Sequence, residues 1–309
     1  ISYKTMTFFK YIVFYLYIIF ISQPLFANKI LFLEDNFFPE GITISKNGDI
    51  FVGSLKENKI IKIPNKKTKI EEFIPSNSSG LLSVIGILAD DFNKLLWACT
   101  SNPGVTNYPN NQFIVSLKAF DLTSGDLINS YPFTGGGFCN DIAIDKKHNV
   151  YVTDSFNPRI LRLNKSKNRL ETWLESSLFE GEGFNLNGIT YSNNHLYMVK
   201  MNSGELFKVQ INENGAPNNL ERVNLPRLLN APDGIKTIDN ENLLVVENKG
   251  SLTIIEFNDS IKFKKDSSIK LKTIKDNLDT PTTVAVRNNI AWVLEAQFGH
   301  LFGEEKDIT

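Results

Sequence analysis

Cysteine and histidine are scarce in this chain. Of 309 residues, two are cysteine and three are histidine. His148, His195 and His300 have no serine and acid spaced to form a triad with them, and no Gly-x-Ser-x-Gly elbow occurs, which argues against serine-hydrolase chemistry. An excess of either charge is also missing. There are 33 basic and 34 acidic residues, a net charge of −1, so no basic face is offered to nucleic acid. Charged residues make up 22% and apolar residues 42%, which suits a globular protein with a large core and not a disordered one. A helical period of 3.6 is absent from residues 28–309. The almost wholly apolar run at residues 11–22 is short for a membrane span, which wants ~20 apolar residues.

That run has flanks of its own. Lys4 and Lys10 precede it, and Gln23, Pro24 and Leu25-Phe26-Ala27 follow. A basic start, a short apolar stretch and a small residue before a polar one read as a secretory signal cleaved after Ala27, with a membrane anchor as the alternative. The expectation is a signal at residues 1–27 and an exported domain at 28–309, periplasmic or secreted, monomeric and without a membrane partner after cleavage. In an oxidising compartment disulfides persist. Cys99 and Cys139 are either bridged, closing a loop of about 40 residues, or two buried thiols.

What the chain does have is a repeat. The quartet Pro232-Asp233-Gly234-Ile235 has copies at Pro39-Glu40-Gly41-Ile42, Cys139-Asn140-Asp141-Ile142 and Leu186-Asn187-Gly188-Ile189. Looser echoes are Val84-Ile85-Gly86-Ile87 and Pro281-Thr282-Thr283-Val284. The second places fall at 40, 85, 140, 187, 233 and 282, a period near ~45 residues. Each quartet opens a run of short alternating strands, separated by turns such as Lys46-Asn47-Gly48-Asp49. Five repeats read as four strands each. The sixth reads as three, the last at His300-Leu301-Phe302. The predicted fold is all-β: a six-bladed β-propeller with four-stranded blades, its last blade closed by an N-terminal strand at residues 30–33.

In such a ring the first strand of each blade is innermost, so the residues just ahead of it converge on the axis. The converging set is Glu40, Ile85, Asn140, Asn187, Asp233 and Thr282. Gly41, Gly188 and Gly234 follow three of them, as backbone that turns tightly or approaches the centre closely requires. Two facing carboxylates are costly unless neutralised, and carboxylate and amide oxygens suit a hard divalent cation. With no histidine or cysteine at the six places, zinc and copper are disfavoured against Ca²⁺, or alternatively Mg²⁺ or Mn²⁺. The competing reading is that these are ordinary turn residues.

The four best quartets resemble those of the senescence marker protein/gluconolactonase/luciferin-regenerating enzyme family, with the paraoxonases more distant. The resemblance covers the six-repeat pattern of residues 28–309. It implies a propeller with a central divalent metal, usually calcium, held by Glu40, Asn140, Asn187 and Asp233, and hydrolysis of small-molecule lactones or related esters. It also gives Asp233 the part of catalytic general base. Two places depart from the pattern. Phe138 stands where sugar-lactonase relatives carry an arginine, and Ser83-Val84-Ile85 fills the region of the paraoxonase-type histidine. An aromatic at 138 suits an apolar or aromatic substrate better than a polyol.

Candidate pocket residues are therefore Phe138, Tyr108, Phe156, Phe184, Thr282 and Phe298, with loop aromatics packed on neighbouring blades as the plainer reading. Asp154 and Glu247 follow second strands and read as loop hydrogen-bonding groups. The alternative to a hydrolase is a non-catalytic propeller, a ligand- or protein-binding scaffold with a structural ion.

Overall fold

The computed structural model describes residues 33, 35–67, 69–105, 114–238, 242–257 and 269–303. The signal segment, most of the predicted N-terminal strand and Tyr108 lie outside these residues. Among the described residues no helix is long and apolar enough to cross a membrane.

Residues 35–309 form one compact unit. Its described strands build five four-stranded antiparallel sheets, each with its strands in simple sequence order, and one two-stranded sheet. The inner strands are Pro39–Ile44, Ser83–Asp90, Cys139–Ile144, Leu186–Ser192, Pro232–Thr237 and Pro281–Arg287. Each packs on the next, and the sixth packs on the first, so the ring closes into a β-propeller. Alternation sets the layers. In Ile60–Ile63 and Arg159–Asn164, for example, buried aliphatics face the neighbouring blade, and the intervening lysine and arginines are only partly covered.

The expectation of six four-stranded blades is corrected here: among the described residues five blades are four-stranded, and the sixth sheet has only Pro281–Arg287 and Ile290–Glu295. The predicted third strand at His300 is instead a short helix, Phe298–Leu301. Gln297 takes a left-handed conformation (φ 54°) and turns the chain off the sheet. Phe298 and Leu301, three apart on one helical face, then pack on the apolar cluster of Phe38, Leu55, Ile85 and Phe138. Burial of that pair outweighs a strand ladder at the ring's end. Leu33, the one described residue of the predicted closing strand, is not in a sheet.

Every inner strand is irregular at the same place. The pairing register with the second strand shifts at Pro39/Gly41, Val84/Ile87, Leu186/Ile189, Pro232/Ile235 and Pro281/Val284, and in blade three opposite Val152/Asp154. These are β-bulges, and a bulge re-aims the side chain at the extra residue. The repeated quartet is the sequence of that bulge. Its glycine permits close approach between blades: a Cβ on Gly188 would lie 2.3 Å from the Asp233 carbonyl oxygen, and one on Gly41 would lie 2.1 Å from that of Ile85.

Cys99 and Cys139 are joined by a disulfide with a Cα–Cα separation of 5.2 Å, linking the second strand of blade two to the first of blade three. Loop closure over 40 residues is worth about 3–4 kcal/mol in the chain-entropy model. Two further locks sit at the ends of second strands. Asp154 accepts bonds from Arg159 Nε (2.9 Å) and the Phe138 amide (2.9 Å), and Glu247 takes both Arg227 terminal nitrogens at 2.8 Å.

Substituting both cysteines with serine is expected to lower stability to urea by about 3–4 kcal/mol while leaving the far-UV spectrum of a β-protein intact. Gly188→Ala is expected to cost about 1–3 kcal/mol by overpacking against blade five, read as a lower unfolding midpoint at unchanged slope.

Candidate functional site

The bulges deliver their side chains to one place. Glu40, Ile85, Asn140, Asn187 and Asp233 line a single small cavity, together with Gly41, Gly86, Gly234, Asp141 and Thr283. Five of the six residues predicted to converge are therefore brought together. The sixth, Thr282, is fully buried. Its hydroxyl donates to the Glu40 backbone oxygen at 3.1 Å. It braces the site, while Thr283 takes its place in the lining.

Three ring residues are each held by a residue 14 or 15 positions later, just past the end of the second strand of their own blade. Asn140 Nδ2 donates to Ser155 Oγ at 2.9 Å, and Asn187 Nδ2 approaches Met201 Sδ at 3.4 Å. Asn248 Nδ2 donates to Asp233 Oδ2 at 3.4 Å. These supports reach on to the next blade: Ser155 Oγ donates to the Leu186 carbonyl at 2.6 Å, and Asn248 Nδ2 to that of Pro281 at 3.3 Å. Asn140 and Asn187 thus spend their amide nitrogens on neighbouring protein groups, which leaves their oxygens available to a ligand.

The electrostatics of the site are unfavourable as the side chains stand. Burial pushes the Glu40 carboxyl up to about 8. The charge of Asp141 adds to the rise, and the Thr282 hydroxyl partly opposes it. Asp233 is raised well above the ordinary carboxyl range by burial first, then by Glu40 and Asp141, with Asn248 and Asn187 opposing. Neither acid has an ion-pair partner among the described residues. Glu40 Oε2 is shut away from solvent without any hydrogen bond. An enclosed carboxylate oxygen with no partner, beside a second carboxylate and two free amide oxygens, fits a hard divalent cation; Glu40, Asn140, Asn187 and Asp233 would hold it. Among the described residues no three His, Cys, Asp or Glu side chains are grouped to hold a metal by themselves, so the amides are indispensable to such a site.

Three of the predicted pocket aromatics stand together beside this ring. Phe138, Phe156 and Phe184 have pairwise centroid distances of 5.0, 5.0 and 5.2 Å. Phe138 is buried, whereas Phe156 is 51% and Phe184 38% exposed. The trio flanks the site through its neighbours in sequence: Phe138 lies two residues before Asn140, Phe156 follows Ser155, and Phe184 lies three before Asn187. Phe298, in the short terminal helix, packs on the apolar cluster that includes Phe138 and pairs with Phe302 at 6.0 Å. Asp154 and Glu247 are buried and saturated, and hold loops, not ligands.

Sequence reasoning missed the supports Ser155, Met201 and Asn248. Their signal was the fixed offset of 14–15 residues from each ring position, the length of one bulged hairpin. It also missed the pairing of Asp141 with Lys236 at 3.1 Å, which joins residues 95 apart.

No family model matches the chain, and no curated protein matches it in sequence. Solved structures do match in fold. Virginiamycin B lyase from Staphylococcus aureus is similar at a TM-score of 0.59 and 15% identity, over 86% of this chain and 94% of that one. A luciferin-regenerating enzyme is similar at 0.59 and 13%, over 84% and 83%. A chain of the nidogen/laminin complex is similar at 0.58 and 15%, over 80% and 84%. The chain is a β-propeller of the architecture shared by these proteins.

Both ring acids are raised, so the folded state holds protons that the unfolded chain releases. In chelator-treated protein, stability is expected to be full below about pH 4.5 and to fall as pH rises towards about 8. A thermal-melt series in EDTA measures the fall. Added calcium is expected to flatten it, and Glu40→Gln to reduce it.

Proposed function

We propose that this protein is an exported hydrolase of lactones or related esters, dependent on a divalent cation at the propeller axis, calcium first, with magnesium or manganese as alternatives. The observation that carries this reading is the enclosure of Glu40 and Asp233 with the oxygens of Asn140 and Asn187, with Glu40 Oε2 unpartnered. The disulfide between Cys99 and Cys139 supports an oxidising compartment. Two of the similar structures are enzymes by name, so propellers of this architecture include enzymes, which supports the reading without fixing it.

A divalent cation there would polarise a substrate carbonyl and stabilise negative charge developing on its oxygen. The chain's own groups do the rest. Asp233 accepts the proton of the attacking water, with its Oδ2 steadied by Asn248. Thr282 ties the Glu40 backbone of blade one to blade six, which fixes where the Glu40 side chain starts. Asn140 and Asn187 are locked by Ser155 and Met201, so the oxygen ring is set before substrate arrives. The exposed faces of Phe156 and Phe184 receive the apolar part of the substrate.

A second reading is a binding scaffold with a structural ion. It is favoured by the same exposed rings, and by the likeness to a propeller taken from the nidogen/laminin complex.

A panel of aliphatic, aryl and sugar lactones separates the two. With calcium present, hydrolysis is expected on apolar lactones. Asp233→Ala should lower kcat by about 10²–10⁴-fold, the usual share of a general base. Should no lactone be hydrolysed while calcium still raises the melting temperature, the hydrolase reading fails and the scaffold reading stands.

A further inference from the structure

The axial cavity contains a third carboxylate that the proposed chemistry leaves unused. Asp141 follows Asn140 in the inner strand of blade three, is buried, and lines the same cavity as Glu40 and Asp233. Its Oδ2 accepts the Ile189 amide at 3.1 Å and Lys236 Nζ at 3.1 Å, and its Oδ1 lies 3.5 Å from the same nitrogen. Lys236 comes from the inner strand of blade five, three residues after Asp233, and its side chain is 17% exposed. Lys236 also lines a separate cavity of about 340 Å³ with Ile142, Ile144 and Ile189. The ion pair therefore joins two inner strands at the boundary between two cavities, with the carboxylate on the side of the ring.

Charge then decides what the site can hold. With Glu40 and Asp233 ionised, as ligation of a cation requires, three carboxylates around the axis face one ammonium, which leaves two formal negative charges. That is the complement of a divalent ion. Without the ammonium the count becomes three. In an enclosed site of reduced dielectric, one unmatched unit charge changes relative ion affinity by about tenfold or more. Asp141 is committed to Lys236 and the Ile189 amide, so it acts on an ion in the ring through its charge and not as a ligand.

We infer that the Asp141–Lys236 pair sets the ionic charge accepted by the axial site, matching it to a divalent cation against a trivalent one. This rests on the metal reading proposed above. Lys236 is a selectivity residue acting through Asp141, and its effect is expressed in the ratio of two affinities, which a purely structural contact would leave unchanged.

The test is calorimetric titration of the full chain with calcium chloride and, separately, terbium chloride. Wild type is expected to bind calcium. Lys236→Met should move the terbium-to-calcium affinity ratio by about tenfold or more towards terbium. Lys236→Gln, which keeps a donor for Asp141 but removes the charge, should do the same. The double variant Asp141→Asn/Lys236→Met restores two formal negative charges and should return the ratio to the wild-type value. A ratio that stays within about twofold of wild type in the single variants overturns the inference, as does a double variant that fails to return. If the Lys236 single variants do not fold, Asp141→Asn decides: it leaves one formal negative charge and should move the ratio by about tenfold or more towards calcium, and a ratio within about twofold of wild type overturns the inference. Wild type that binds calcium while the ratio stays fixed leaves the metal reading standing and removes only the role of the pair. Wild type that binds neither ion removes both.

Discussion

Burial of like charges on the ring axis is the constraint around which this structure is arranged. Glu40 and Asp233 come from blades one and five and share a cavity with Asp141 from blade three. Desolvation and mutual repulsion oppose their ionisation. A ring of packed blades would expel such a set unless something held it. Thr282 grips Glu40 from blade six, Asn248 grips Asp233, and Lys236 answers Asp141. Every one of these contacts depends on the bulge in the inner strand, because the bulge aims the ring residue at the axis and brings adjacent backbones too close for a side chain at Gly41, Gly86, Gly188 or Gly234. Ser155 and Asn248 bond both to their own ring residue and to the next blade. Site geometry and ring closure are therefore one network, as the double engagement of Ser155 shows.

Much of this was legible in the residues. The period near 45 exposed the blades, because each blade must repeat its bulge, turn and strands to bury the same faces. The converging positions followed from topology alone, and five of the six line the cavity. The remaining features were hidden for physical reasons. The terminal segment at Phe298 reads equally as a strand or as a helical turn, since apolar residues three apart satisfy both patterns over so short a run. Tertiary burial on the Phe38, Leu55 and Phe138 cluster decided it, and among the described residues the ring has five four-stranded blades and a two-stranded sixth sheet. Thr283 lines the cavity in place of Thr282 because blade six carries a side chain where the quartets of blades one, two, four and five have Gly41, Gly86, Gly188 and Gly234, while the Thr282 hydroxyl turns to the Glu40 backbone. The Asp141–Lys236 pair spans 95 residues and depends on the angle between blades three and five, so a linear pattern does not show it.

The aromatic trio shows how substrate preference separates from fold. Phe138 is buried as part of the core, and its neighbours Phe156 and Phe184 carry the exposed surface beside the ring. The same backbone would serve a polar substrate with other side chains at these three places. The fold therefore constrains where chemistry can occur, and the rim residues constrain what can approach.

The central claim is that the buried oxygens of blades one, three, four and five are a cation site. Anomalous diffraction from crystals grown with manganese or calcium tests it most directly. The account predicts one peak on the axis, about 2–2.6 Å from oxygens of Glu40, Asn140, Asn187 and Asp233. A cavity without a peak at saturating ion, or a peak held by other residues, would contradict it.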